Sequence, residues 1–166
     1  MIGQDKAVLK KVSVSLPFGL GSAEWESDPT ERFAAWELYV ELVTRIAVQP
    51  FDLQYGGLRE ALNSLYRVFP STREILRAAG PNIGASPDSV GGIAIAVLNI
   101  GVRPFLAKWH NRLSDWEAVK PADKSAREHE RDWQYGDTMK QELIALQADL
   151  SKYADALAKI AEVRTS

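Results

Sequence analysis

Between residues 103 and 116, the cationic or titratable side chains Arg103, Lys108, His110 and Arg112 alternate with Phe105, Trp109 and Trp116. A guanidinium can grip a phosphate or carboxylate through two parallel hydrogen bonds, and an indole offers a flat face to a base or a cation. This cluster is therefore the chain's best candidate for holding a small anionic ligand such as a nucleotide. Read on a helix, the same residues have a plainer explanation. Phe105, Trp109, Leu113 and Trp116 form one stripe that faces a core, and Arg103, Lys108 and Arg112 become surface partners of acidic residues. A third reading makes the patch an anchor for a protein partner, since Trp and Arg dominate such contacts.

Other chemistry finds little support. His110 and His129 are the two histidines, and neither belongs to an HExxH motif. They would need Glu117, Glu128, Glu130 or Asp132 to complete a metal site, and partly exposed polar histidines near a bundle end are the simpler reading. A di-iron centre needs Glu-x-x-His on two helices, a pattern missing around Glu37, Glu41, Glu60 and Glu142. The serines fall mostly in caps or loops, without G-x-S-x-G. Gly19-Leu20-Gly21 is too short for a dinucleotide loop, and Gly91-Gly92 lacks a P-loop lysine. With no cysteine there are no disulfides or thiolate sites. No catalytic residue, metal or cofactor is expected.

The elements that position these residues follow from periodicity and caps. Val12 and Val14 alternate with Ser13 and Ser15, a short strand signal within residues 8–18, and Gly19 and Gly21 allow a hairpin with residues 20–25. Asp28, Pro29 and Glu31 announce a first helix whose face reads Phe33, Trp36, Val40, Val43 and Ala47. Tyr39, Leu42 and Ile46 widen its apolar arc, and Pro50 ends it. A second helix is expected from about Leu53 to Phe69, closed by Pro70. Ser71 and Glu74 then cap a short third helix that stacks end to end on it. Ser86 or Asp88 caps the fourth, which runs to about Glu117 with a kink at Pro104, where the hydrogen bond to Ile100 is lost. Gly91–Val102 carries no charge. It is shorter than the ~20 residues of a transmembrane helix, and its small residues suggest a central, closely packed segment.

Ser125 and Glu128 form a further capping box. From there one helix is expected to about Val163, roughly 57 Å long at 1.5 Å per residue, with Gly136 its weak point. Met139, Leu143, Leu146, Leu150, Tyr153, Leu157 and Ile160 mark a heptad seam. Its length suggests an overhang that is frayed, packed on the N-terminal arm or used in self-association.

The expected architecture is all-α: an up-down helical bundle of four rods made from about five helices, with a short extended or hairpin N-terminal arm. Residues 1–27 make the arm, 28–163 the bundle and 164–166 a tail. The 166 residues suffice for one core, and the net charge of -2 is no nucleic-acid signature. Absence of cysteine and of a signal-like N-terminus fits a cytoplasmic protein. The leading functional reading is a non-enzymatic interaction or regulatory module, partnered by another protein or by itself. An anion- or nucleotide-binding sensor and a membrane-associating effector are the alternatives.

Overall fold

The computed structural model describes residues 11–26, 28–45, 48 and 57–164. Within them the chain is an all-α bundle with a short N-terminal β-hairpin. Strands β1 (Val12–Ser15) and β2 (Ser22–Trp25) pair antiparallel, with Val12 opposite Trp25 and Ser15 opposite Ser22. Period-two alternation turns Val14 and Trp25 into the core, and the serines face outward.

Helix α1 (Pro29–Val43) starts as its sequence dictates. The Asp28 carboxylate accepts from the N–H groups of Thr30 (2.8 Å) and Glu31 (3.4 Å), and Pro29 occupies the first turn. The buried face matches the expected one only in part: Leu42 is buried and Tyr39 and Val43 pack against the core. Ala34, Ala35, Leu38 and Leu42 are buried, whereas Phe33 and Trp36 are 64% and 44% exposed and Val40 is also outward. Apolar residues surround this helix, so periodicity could not choose between faces, and the small Ala34–Ala35 side lets neighbouring helices approach. Ile46, Ala47, Pro50 and Leu53 lie outside the described residues.

The second and third expected helices are one helix, α2 (Leu58–Ala79), with Pro70 inside it. Ser71 caps nothing; its hydroxyl accepts from Arg45 Nη2 at 2.8 Å. Leu62, Leu65, Val68, Phe69, Thr72 and Ile75 bury one continuous side across the proline, and that burial carries the helix past it.

After a 3₁₀ turn at Pro81–Gly84 comes a single rod of three parts: α3 (Val90–Ala96), a π-helical turn (Val97–Val102) and α4 (Arg103–Ala118). Its cap is Ser89, not Ser86 or Asp88, and accepts from the Gly92 N–H at 3.1 Å. Gly91 and Gly92 are required here. A Cβ on Gly91 would lie 2.5 Å from the Ile83 carbonyl oxygen, and one on Gly92 2.2 Å from that of Ser86. The irregularity expected at Pro104 takes the form of the π turn, where the Arg103 N–H reaches back five residues to the Leu98 carbonyl. By length and composition the rod could cross a membrane: its most apolar 18-residue window has mean hydropathy 1.7. Half of that window is buried in the bundle.

The Ser125–Glu128 capping box is present, with Ser125 accepting from the Glu128 N–H at 3.1 Å and Glu128 accepting from the Ser125 N–H at 3.2 Å. The long last helix is divided, however, into α5 (Ala126–Arg131) and α6 (Gly136–Ile160). Trp133 and Met139 are both buried. On one continuous helix their six-residue separation would set them about 120° apart. The break before Gly136 lets both rings of contacts point inward.

The heptad seam is buried throughout, from Met139 to Ile160. Helix α6 packs against α1 and β1, α1 against α2, α2 against α4, and α4 against α6, closing the ring of rods. At 25 residues α6 is shorter than the 29-residue rod Val90–Ala118, and it packs on β1 of the N-terminal arm, one of the placements expected for the last helix.

Candidate functional site

The structure separates the residues 103–116 cluster into a buried aromatic half and an exposed cationic half. Trp109 is fully buried, Phe105 is buried, and Trp116 is half-buried. The Trp109 indole N–H donates to Glu142 Oε2 at 2.5 Å, and Trp133 meets its ring edge-to-face at 5.9 Å. Lys108 forms an ion pair with the same Glu142 carboxylate, and its ammonium lies 4.9 Å from the Trp109 ring. The Arg112 guanidinium sits between Trp109 (5.7 Å) and Tyr135 (5.8 Å). The Lys108 hydrogen bond, followed by the indole N–H and the nearby charges, holds the Glu142 carboxyl below the usual range against partial burial. Helix α6 thus supplies the acid that neutralises this part of α4.

Arg103 and His110 face another neighbour, α2. Arg103 lies over the Phe69 ring at 5.0 Å, and His110 meets Tyr66 edge-to-face at 5.4 Å with its Nδ1 buried and unpartnered. The seven side chains therefore do not converge on one ligand-sized space. They serve three separate contacts.

Trp116 belongs to the third contact, with His129 of α5. The two rings stack in parallel, 1° apart in tilt and 4.1 Å between centroids. Each also bonds the other's backbone: the indole N–H donates to the His129 carbonyl at 2.7 Å, and His129 Nε2 donates to the Trp116 carbonyl at 2.5 Å. The second bond requires the proton on Nε2. This stack joins the end of α4 to α5 and forms one wall of a cleft of about 960 Å³. Arg59, Lys120, Arg127, Arg131 and Lys140 line it, with Glu60, Glu117 and Glu130 as the opposing acids.

Two of those acids are committed to structure. Glu117 pairs with Arg59, which also donates to Ser114 at 3.0 Å. Glu130 accepts from the Leu58 N–H through both oxygens (3.1 and 3.2 Å), capping α2 where its own Gly57 has no side chain to do so. Half-burial pushes the Glu130 carboxyl up, opposed by the Leu58 N–H and the Lys140 charge. Glu31 acts similarly, accepting from the Val90 N–H of α3 at 3.1 Å.

The cleft was not legible as a site in the sequence, since its walls come from four helices. Capping pairs across such distances leave no local pattern. The outward placement of Phe33 and Trp36 departs from the apolar face expected of α1. The signal that could have corrected this is the Ala34–Ala35 pair, a narrow surface suited to close helix crossing. Among the described residues no group of three or more histidines and carboxylates is placed to hold a metal ion. No family model matches the chain, and no curated protein or solved structure does either.

Proposed function

We propose that this protein is a non-enzymatic helical interaction module whose working surface is the outward face of α1. The observation that carries the reading is the exposure of Phe33, Trp36 and Val40 on one side of a helix whose opposite side fills the core. Trp36 and the half-buried Tyr39 stack at 6.0 Å, so the patch is already ordered and loses little side-chain entropy on binding. Aromatic anchors of this kind carry much of the energy of protein contacts.

The test is the pair of substitutions Phe33→Ser and Trp36→Ser, followed by light scattering across the micromolar range and affinity capture with the whole chain. Wild type should self-associate or retain a partner, and the double variant should lose that contact at least tenfold while keeping its fold. A strictly monomeric wild type whose captured partners ignore both substitutions overturns the reading.

A second reading, a sensor of small anionic ligands, draws support from the cleft, lined by five basic and three acidic side chains, where Glu117 pairs with Arg59 and Glu130 caps α2. A nucleotide or inorganic phosphate that binds only the folded state should raise the thermal midpoint, and Lys140→Ala should reduce that rise. No rise with either probe counts against it.

A further inference from the structure

Where α2 meets the rod, two guanidiniums share one aromatic ring. Arg103 lies 5.0 Å and Arg73 5.8 Å from the centroid of Phe69. Both are exposed, and neither belongs to an ion pair among the described residues. Arg103 donates to Asn99 Oδ1 at 3.2 Å, a neutral partner. Two cations gathered on one ring, with no ion-pair partner among the described residues, project positive potential outward. Glu74, exposed beside Arg73 in sequence, is the one acid adjoining them on this stretch of α2.

The stretch of the rod that precedes Arg103 is uncharged. Ile100 and Ile95 are 57% and 48% exposed, and between Val90 and Val102 no residue is charged. Ile95, Ile100 and Arg103 all lie on the exposed side of the rod. Tyr66 of α2, 40% exposed, lies against His110 along the same seam. Exposed isoleucines, a tyrosine and two arginines outside the ion pairs of the described residues together have the composition of an interfacial membrane contact. The outward face of α1 differs, for it is flanked by Glu37 and Glu41.

We infer that this side of the bundle docks on an anionic bilayer surface, with Ile95 and Ile100 entering the acyl boundary and Arg73 and Arg103 meeting lipid phosphates. Charge complementarity selects the occupant. A free phosphate would satisfy the guanidiniums but leave the isoleucines in water, whereas an anionic bilayer takes both at once. The rod does not span: half of its most apolar window is committed to the core, and the charged residues of α4 follow directly.

Flotation of the full chain with vesicles tests this. Wild type should float with phosphatidylcholine vesicles containing phosphatidylglycerol and stay behind with phosphatidylcholine alone. Arg73→Gln and Arg103→Gln should each lower partitioning about fivefold, from the ~1 kcal/mol that a surface-proximal cation contributes. Ile100→Ser should weaken it as well, and added inorganic phosphate should not compete. All of these positions are exposed, and circular dichroism should show each variant folded. The Phe33→Ser, Trp36→Ser protein should float like wild type, which keeps this contact distinct from that of α1. No flotation, equal flotation with both vesicle types, a double arginine variant that binds like wild type, or protein that resists alkaline carbonate extraction as a spanning helix would each overturn the inference.

Discussion

Two carboxylates in similar structural roles respond to pH with opposite signs. Burial raises the Glu130 carboxyl above its ordinary 4.5, so the folded state holds that proton more tightly than the unfolded chain. Stability from this group is present below the ordinary carboxylate range and falls as pH rises through the raised value. The Glu142 carboxyl is held low, first by the Lys108 hydrogen bond, so its contribution is present at neutral pH and is lost as pH falls below the ordinary range. Glu130→Gln keeps an oxygen for the Leu58 N–H but cannot ionise. Its melting temperature relative to wild type should therefore be more favourable at neutral pH than in acid, where wild-type Glu130 is also neutral. An equal difference at both pH values would refute this account. Neither sign is readable from the sequence, because Leu58 is 72 residues from Glu130 and Lys108 is 34 from Glu142.

Among the elements, α2 and the rod show how burial overrides local breakers. Pro70 has no N–H, so the Tyr66 carbonyl loses its partner four residues on, and the ring crowds the preceding turn. The helix persists because its buried side continues from Leu58 to Ile75. Pro70 is exposed. Pro70→Ala should therefore stabilise the protein, by as much as about 3 kcal/mol, read as a higher denaturant midpoint at unchanged slope. The rod meets its own proline with a π turn, and the hairpin fits against that turn. Phe18, at φ 57° in the left-handed region, lays its ring where a Cβ on Gly101 would be 2.5 Å away. The caps were legible at Asp28 and Ser125, where donor and acceptor are neighbours in sequence. The face of α1 and the division of the last helix were not, since each depends on which distant surface needs filling.

At the scale of the whole molecule, the hairpin belongs to the same core as the helices. Val14, Leu16 and Trp25 are buried and join the cluster built from all the rods. Burying each such side chain is worth about 1.5–3 kcal/mol, so their combined loss approaches the net stability of a typical domain. A chain beginning at Asp28 should lose its cooperative thermal transition, followed by circular dichroism in the near and far ultraviolet. A sharp transition near the wild-type midpoint would show that the hairpin is dispensable.

By itself the sequence determined the fold class, an extended or hairpin N-terminal arm, the two local capping motifs and the Met139–Ile160 seam. Each rests on interactions within one turn or on a period that a single element imposes. The candidate site was legible only as residue types. Tertiary structure decided that Trp109 is buried while Trp36 is exposed, that Glu130 caps a helix 72 residues away, and that Arg73 and Arg103 share Phe69. The physical reason is that an apolar side chain or a charge is indifferent to which partner satisfies it, and only the packed bundle makes that choice.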